Sequence, residues 1–303
     1  MKLDCSYEDF PDYTEPVEGM REIPVSMDDL EFFCYPDVEY VRRPQGARVL
    51  QIFVPQKIIY NGEQFPLIVF IQGSAWFKQW IEKRMPMQGH FATRGFAFAL
   101  VQYRESELAP FPAQIEDAKT AIRFMRKHAE EYRIDPDNIF LWGDSSGAHT
   151  ALMAGMTQET GEFDTEDYSE FSCKVNAIVD NYGPSDLTRM HIPPSSMEHT
   201  DPDSPQGMLL GGVPVLENLD KAAAASPVNF VRPDVSIPPI LMFHGTKDMT
   251  VPFEQSVLLY KKLKKMGKDV TFYAIRGGDH GGPTFWSDRV MDVIEAFLRA
   301  YMV

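Results

Sequence analysis

The sequence predicts an α/β fold in which a mostly parallel central sheet carries helices on both faces. From residue 38 onward, short apolar runs of strand length alternate with amphipathic segments of helix length. The run FPLIVFIQG, residues 65–73, is continuously apolar, as expected for a strand that is buried on both faces. At 303 residues, 44% of them hydrophobic, the chain can bury one large core without dividing into several domains.

Turn signals and composition predict the other strands. Two opening strands, VEYVRR and ARVLQIFVP, flank the turn Pro44-Gln45-Gly46, and FAFALVQYR is a later strand. A short strand from Asn138 to Trp142 follows Asp135-Pro136 and leads directly into GDSSGAHTALMAG. Three further strands are expected in VNAIVDNYG, PPILMFHG and DVTFYAI.

Amphipathic segments predict helices that pack on the sheet. Between residues 113 and 132, apolar residues recur at steps of three and four, which puts them on one helix face. They are Ile115, Ala118, Ile122, Met125, Ala129 and Tyr132. Two further helices are predicted over residues 256–265 and 286–301.

Two segments depart from this alternating pattern. Residues 1–36 are acidic and contain prolines, which predicts an arm or a cover over the rest of the chain, and the sequence leaves both open. Residues 37–303 are expected to form one domain. Within that domain, prolines, serines and the pair Gly211-Gly212 break any period over residues 190–225, so we predict an irregular insertion that forms a short lid.

The charge distribution argues against two classes of partner. The formal net charge is −15, and the first forty positions hold twelve acidic and two basic residues, which leaves −5 on the remaining chain. A nucleic-acid-binding protein needs a clustered basic face, and an anionic membrane would repel this chain. The expected partner is therefore a small molecule, with no nucleic acid and no membrane, and the sequence leaves a homo-oligomer open.

Cysteine usage and the N-terminal sequence bear on location. Cys5, Cys34 and Cys173 are scattered and belong to no C-x-x-C pair, which predicts free thiols in a reducing compartment. The first thirty residues lack the basic start and apolar run of a secretory signal. No stretch approaches the roughly 18 apolar residues of a membrane helix. We therefore expect a cytoplasmic location.

The segment Gly143-Asp144-Ser145-Ser146-Gly147 lies between an apolar strand and a helix-forming run, the context in which G-x-S-x-G indicates a nucleophile. At a sharp strand-to-helix turn the serine backbone is strained, and the residues two before and two after it must be small. The serine hydroxyl is then accessible, and the positive end of the helix points at the carbonyl that reacts. Ser145 is the predicted nucleophile, and Ser146 is expected to contribute its backbone N–H.

A serine hydroxyl needs a base, and a carboxylate normally fixes the tautomer of that base. Among seven histidines, His280 lies in a glycine-rich loop between the last strand and the last helix, at the edge of the sheet where such sites form. Asp248 follows the strand PPILMFHG, and the order Ser, Asp, His matches that of α/β-hydrolases. We predict His280 as the base and Asp248 as the acid, with Asp279 and Asp186 as rival carboxylates.

Acyl transfer also needs N–H donors aimed at the oxyanion of the tetrahedral intermediate. One predicted donor is the N–H of Ser146. A second is expected from the loop that follows the buried strand FPLIVFIQG, because residues 72–76 put small side chains between that strand and an aromatic residue.

In this order along the chain, the motifs resemble α/β-hydrolase carboxylesterases related to hormone-sensitive lipase and to bifunctional feruloyl and acetyl xylan esterases. The similarity extends from about residue 38 to the end and includes Tyr103-Arg104 and residues 111–117, 143–147 and 244–248. In that family a His-Gly-Gly-Gly type loop supplies oxyanion amides.

By position in this loop, the resemblance implies Ser74 and Ala75 as further oxyanion donors. It also implies Gly73 and Trp76 as substrate-binding residues, with Trp76 forming a wall of the acyl site. The sequence departs from the family pattern, since Gln72 replaces the histidine and only Gly73 remains of the glycines. Backbone amides survive such replacements, so the oxyanion hole remains a prediction.

Together, these features predict a serine carboxylesterase that hydrolyses small acyl esters through an acyl-enzyme intermediate, with residues 37–303 as its α/β-hydrolase catalytic domain. No metal or organic cofactor is expected. The resemblance implies acetyl or feruloyl esters of carbohydrate, such as acylated oligosaccharides, as substrates. Two alternatives stay open: an amide hydrolase like the kynurenine formamidases, and a catalytically silent binding protein. A prolyl-oligopeptidase-like enzyme is disfavoured because the chain has no room for a large gating domain.

Overall fold

The computed structural model describes residues 4–7, 9–26, 29–57 and 62–303. Within this part of the chain, eight strands form one sheet with the spatial order β1-β2-β4-β3-β5-β6-β7-β8. The strands are β1 Glu31–Arg43, β2 Gly46–Gln56, β3 Phe65–Ile71, β4 Ala97–Val101, β5 Ile134–Asp144, β6 Ile178–Asn181, β7 Ile240–Gly245 and β8 Val270–Ile275.

The sheet is mostly parallel, as the sequence predicts. β2 runs antiparallel to its neighbours β1 and β4, whereas all neighbouring strands from β4 to β8 are parallel. The parallel strands end at one edge of the sheet, so the loops that follow β3, β5, β7 and β8 lie at that edge. Each of these four loops contains residues predicted to belong to the functional site.

Helices cover both faces of the sheet, which confirms the predicted fold class. The α-helices of the described residues are α1 Met85–Ala92, α2 Ala113–Lys127, α3 Ser146–Met156, α4 Pro205–Leu209, α5 Leu219–Ala224, α6 Glu254–Lys265 and α7 Asp288–Ala300. Along β5 the side chains alternate between faces. Ile139 and Leu141 join the core under α2, α3 and α6, whereas Phe140 and Trp142 join the core under α1 and α7.

A third, smaller apolar cluster joins the segment that the sequence predicts to be a lid to Trp76, Leu187 and Val251 outside it. We call this cluster the insertion core; it consists of Trp76, Leu187, Met190, Leu209, Leu210, Val215, Ala222, Ala225 and Val251. Residues 190–225 are less irregular than expected, because they contain the short helices α4 and α5. Apolar side chains that share this cluster stabilise helices that no sequence period indicated.

Other boundaries also differ from the predicted ones. β1 begins at Glu31, inside the predicted N-terminal arm, and α2 ends at Lys127, before the predicted end at Tyr132. Helix α1 carries no clear amphipathic pattern and was not predicted.

The predicted arm of residues 1–36 lies partly outside the described residues, since it includes residues 1–3, 8 and 27–28. Its described positions before residue 27 are exposed and contain neither helix nor strand. Within the described residues, the helices are too short or too polar to span a bilayer.

Candidate active site

Ser145 lies at the junction between β5 and α3, in the sharp turn that the sequence predicts. Its backbone has φ 54° and ψ −126°, a conformation that costs a non-glycine residue energy. A Cβ atom on Gly147 would lie 1.9 Å from the carbonyl oxygen of Ile71, and one on Gly143 would lie 2.5 Å from the backbone of Gly147. The two glycines therefore let this turn close against β3.

The side chains of Ser145, His280 and Asp248 come together at the carboxyl edge of the sheet. Nε2 of His280 lies 2.8 Å from Oγ of Ser145, and Nδ1 of His280 lies 2.7 Å from Oδ2 of Asp248. His280 belongs to the loop between β8 and α7, and Asp248 belongs to the loop after β7. The three predicted residues thus form one hydrogen-bonded line from hydroxyl to carboxylate.

The carboxylate of Asp248 is buried and accepts hydrogen bonds at both oxygens. Oδ1 accepts from the N–H groups of Thr250 and Val251, each at 2.8 Å, while Oδ2 lies 3.1 Å from Nε2 of His244 in addition to its contact with His280. Burial alone would raise the pKa of Asp248, but hydrogen bonds from the two histidines outweigh burial and hold that pKa below its ordinary range. The carboxylate is therefore ionised at neutral pH.

The two rival carboxylates, those of Asp279 and Asp186, accept hydrogen bonds from nearby backbone N–H groups instead. Oδ1 of Asp279 accepts hydrogen bonds from two backbone N–H groups, one of which is that of His280 at 2.7 Å. Oδ1 of Asp186 accepts from the N–H and the hydroxyl of Thr188, at 3.1 and 2.6 Å. Of the three candidate carboxylates, Asp248 is the one that contacts the imidazole ring.

The loop that follows β3 is bound to the nucleophile turn by two hydrogen bonds. The N–H of Gly73 donates to Oδ1 of Asp144 at 2.7 Å, and the N–H of Ser74 donates to Oγ of Ser146 at 2.9 Å. The hydroxyl of Ser74 also lies 2.9 Å from that of Tyr103, which is buried. These contacts fix the loop beside Ser145.

The hydrogen bond from Ser74 to Ser146 removes Ser74 from the set of predicted oxyanion donors. The single N–H proton of Ser74 is directed at Ser146 Oγ, so Ser74 has no backbone proton left for an oxyanion, contrary to the expectation from family position. The N–H groups of Ala75 and Ser146 have no protein partner among the described residues. Ala75 and Ser146 therefore remain the candidate donors.

A cleft of about 750 Å³, counted with the solvent at its mouth, opens in front of Ser145. The cavity itself measures about 250 Å³, which is near the small end of the range of small-molecule sites. Gly73 and Trp76, for which the family resemblance implies substrate binding, line the cleft, and Trp76 is only 1% exposed. The insertion contributes another part of the wall through Met197, His199, Pro205 and Gln206.

The sequence predicts no catalytic role for three residues that lie near the site. Tyr182 lines the cleft with its ring 4.7 Å from the ring of His280, and its backbone has φ 49°. His149 accepts a hydrogen bond from Nε1 of Trp76, and His244 contacts Asp248. Spacing offered a signal for the two histidines, since each lies four residues from a predicted catalytic residue.

No set of three His, Cys, Asp or Glu side chains in the described part of the chain converges closely enough to hold a metal ion. The polar groups around the cleft are instead hydroxyls, imidazoles, amides and one carboxylate.

The strand order and the arrangement of serine, histidine and carboxylate at the edge of the sheet define the class of this protein, which is an α/β-hydrolase. Within that class, the BD-FAE family model matches residues 50–263, and the chain belongs to that family.

Known proteins similar to this chain include several esterases. The chain is 30% identical over 222 residues to the probable carboxylic ester hydrolase LipM of Mycobacterium tuberculosis, a match that covers 69% of this chain and 47% of the relative. The chain spans about half the length of the curated relatives that it matches.

Two solved structures resemble the fold over most of the chain. A truncated carbohydrate esterase from gut microbiota has a TM-score of 0.78 and 30% identity, with 92% of this chain and 99% of that chain covered. The esterase Est2 of the planctomycete Thermogutta terrifontis, solved with bound propionate, has a TM-score of 0.69 and 26% identity, with 91% and 96% covered.

Proposed function

We propose that this protein is a serine carboxylesterase that hydrolyses small acyl esters through an acyl-enzyme intermediate. The observation that carries the proposal is the 2.8 Å contact between Nε2 of His280 and Oγ of Ser145. A hydroxyl at this distance from an imidazole nitrogen can transfer its proton as it attacks a carbonyl.

The first half of the reaction forms the acyl enzyme. His280 accepts the hydroxyl proton of Ser145 at Nε2 while Oγ bonds to the ester carbonyl carbon. The carbonyl oxygen becomes an oxyanion, which accepts hydrogen bonds from the N–H groups of Ala75 and Ser146. When the bond to the alcohol oxygen breaks, Nε2 returns its proton to the leaving alkoxide, and the acyl group stays on Oγ.

The second half repeats these steps with water. His280 takes a proton from water, the hydroxide oxygen attacks the acyl carbon, and Nε2 gives the proton to Oγ of Ser145 as the acid leaves. Through both halves, the ionised Asp248 accepts a hydrogen bond from Nδ1 of His280 at 2.7 Å. This bond keeps Nε2 unprotonated at the start of each half and stabilises the imidazolium that forms.

The proposed substrates are acetyl or feruloyl esters of carbohydrate. Similarity to a carbohydrate esterase at 30% identity supports a sugar as the alcohol, and similarity to an esterase that binds propionate supports a short acyl group. Trp76, buried at the wall of the cleft, is the proposed limit to acyl length. Residues 190–225 are proposed to cover the alcohol side, since four of their side chains line the cleft.

The cytoplasmic location expected from the cysteines stays a prediction.

The decisive experiment compares the purified protein with the Ser145→Ala variant on p-nitrophenyl acetate. We expect hydrolysis by the wild-type protein and a loss of at least about a thousandfold in the variant, whose thermal unfolding should stay close to wild type. An inactive wild-type protein would support the alternative of a silent binding protein and would overturn this proposal.

A substrate panel then tests the substrate class. Acetylated oligosaccharides, feruloyl esters and N-formyl-kynurenine should be compared by kcat/KM. The proposal expects the carbohydrate esters to be the best substrates. A higher kcat/KM for N-formyl-kynurenine would instead favour the amide hydrolase alternative.

A further inference from the structure

His244 is a buried histidine that takes no part in the proton transfers of the proposed reaction. It lies near the end of β7, four residues before Asp248, and its side chain is fully buried. The ring meets Tyr182 edge-on at 6.4 Å and Phe253 edge-on at 5.3 Å. Because a buried imidazole needs partners for both nitrogens, its hydrogen bonds determine where its proton lies.

Nε2 of His244 faces two acceptors. It lies 3.1 Å from Oδ2 of Asp248 and 2.9 Å from the carbonyl oxygen of Val251. Neither a carboxylate nor a carbonyl can donate, so Nε2 must carry a proton, which is hydrogen-bonded to the carbonyl of Val251 and lies beside the charged Oδ2 of Asp248. This N–H is the only donor to Oδ2 of Asp248, other than His280, among the described residues.

The other nitrogen faces a group that can accept or donate. Nδ1 of His244 lies 2.7 Å from the hydroxyl of Ser256 on α6. If the hydroxyl donates, the imidazole is neutral, and if it accepts, the imidazole is charged. In both cases Nε2 keeps its proton, so the donor to Asp248 does not depend on the charge of His244.

We propose that His244 is a positioning residue, whose Nε2–H holds Oδ2 of Asp248 at the point where this oxygen meets Nδ1 of His280. The inference deepens the proposed function, on which its effect on rate depends. Thr250 and Val251 fix Oδ1 of the carboxylate, and His244 fixes Oδ2, so rotation of the carboxylate about its terminal bond is blocked. The imidazole of His280 then meets one fixed acceptor throughout the reaction.

His244 also limits how strongly Asp248 attracts a proton on His280. A carboxylate oxygen that accepts two hydrogen bonds shares its charge between both donors. Without the N–H of His244, more of this charge would act on His280 and would stabilise its protonated form. The titratable groups that face Asp248 and His280 are His244, Tyr182, whose ring lies edge-on to both histidines, and Asp279, whose Oδ1 accepts the backbone N–H of His280.

Replacing His244 by leucine and by glutamine separates this role from packing. His244→Leu removes the donor at similar volume, whereas His244→Gln retains an N–H near the position of Nε2. For His244→Leu we expect kcat on p-nitrophenyl acetate to fall about 10- to 100-fold, the effect of losing one hydrogen bond to a charged group. The acid limb of the pH profile of kcat/KM should move to higher pH.

His244→Gln should recover most of the lost rate and return the acid limb towards its wild-type position. The half-buried His128, which follows the end of α2 and lines no part of the cleft, gives a control, since His128→Leu should leave kcat unchanged. Equal loss in the leucine and glutamine variants, or an unmoved acid limb in His244→Leu, would show that His244 acts through packing and would overturn the inference.

A readout without turnover distinguishes this inference from the proposed function. The proton shared by Nδ1 of His280 and Oδ2 of Asp248 should give a low-field proton NMR resonance in the wild-type protein. We expect His244→Leu to shift this resonance, and His244→Gln to restore it. If the wild-type protein hydrolysed no ester, the proposed function would fail, while an identical resonance in all three proteins would refute the inference about His244.

Discussion

Nε1 of Trp76 donates a hydrogen bond to Nδ1 of His149 at 3.2 Å, and the two rings meet edge-on with centroids 5.0 Å apart. An indole nitrogen only donates, so Nδ1 of His149 must accept, and Nε2 must carry the proton that bonds the carbonyl oxygen of Ala225 at 2.7 Å. Burial lowers the pKa of His149 to about 4, which agrees with a neutral ring. His149 thus joins the nucleophile helix α3 to the cleft wall and to the end of the insertion.

Replacing His149 by leucine should loosen the cleft wall. The variant leaves the indole N–H and the carbonyl of Ala225 without partners, so the free energy of unfolding should fall by about 1–3 kcal/mol. Because Trp76 is then free to move, kcat/KM for p-nitrophenyl butyrate should rise relative to the acetate. A double-mutant cycle with Trp76→Phe, followed by urea unfolding, measures the coupling; strictly additive losses would speak against the bond.

Substitution of Ser146 tests whether its backbone N–H or its hydroxyl contributes to the site. Ser146→Ala keeps the backbone N–H that we propose as an oxyanion donor but removes the acceptor of the Ser74 N–H. We expect kcat to fall by no more than about tenfold, since only the support of the loop is weakened. A variant as inactive as Ser145→Ala would instead assign the reactive hydroxyl to Ser146.

Gly147→Ala should damage the nucleophile turn. Its Cβ would lie 1.9 Å from the carbonyl oxygen of Ile71, so α3 would have to move away from β3. We expect the free energy of unfolding to fall by about 1–3 kcal/mol, together with a loss of kcat. Gly161→Ala is the control: its φ of 75° strains an alanine, but no atom lies within 4 Å of the added Cβ, so kcat should stay at the wild-type value.

Asp180 on β6 should make stability depend on pH. Burial raises the pKa of Asp180 to about 7, an effect that the N–H of Gly183 opposes only in part, and Oδ2 has no partner among the described residues. Because the folded-state pKa lies above the unfolded one, the stability contributed by the protonated group is complete below about pH 4. It is lost as the pH rises through about 7.

Asp180→Asn removes this titration with little change of shape. The difference in the free energy of unfolding, variant minus wild type, should therefore increase from pH 4 to pH 8, by at most about 4 kcal/mol. Urea unfolding of both proteins at the two pH values measures the difference. A difference that does not change with pH would mean that Asp180 titrates like an ordinary carboxyl group.

Local signals predicted the parts of the fold that depend on neighbouring residues. The continuous apolar run of β3 and the three- and four-residue period of α2 each bury their apolar side chains where expected. The glycines around Ser145 indicated a strained turn, and that residue has φ 54°. Ser145, Asp248 and His280 could be chosen because each follows a predicted strand, and the loops after parallel strands meet at one edge.

Features that depend on distant partners had no local signal. The N–H of Ser74 meets Ser146, 72 residues away, so the family position alone suggested a donor role that this contact removes. Helices α4 and α5 owe their stability to the insertion core, which includes Trp76 from a loop much earlier in the chain. β1 extends to Glu31 because it pairs with β2, although its first residues carry no alternating pattern.

Trp76 belongs both to the loop that carries the proposed donor Ala75 and to the insertion core. Grafting a different insertion onto this scaffold, in order to broaden the range of accepted alcohols, would therefore repack the indole as well. Any such redesign must conserve the pocket around Trp76. This one side chain contacts both the insertion, which affects selectivity, and the loop of the proposed oxyanion donor, which affects turnover.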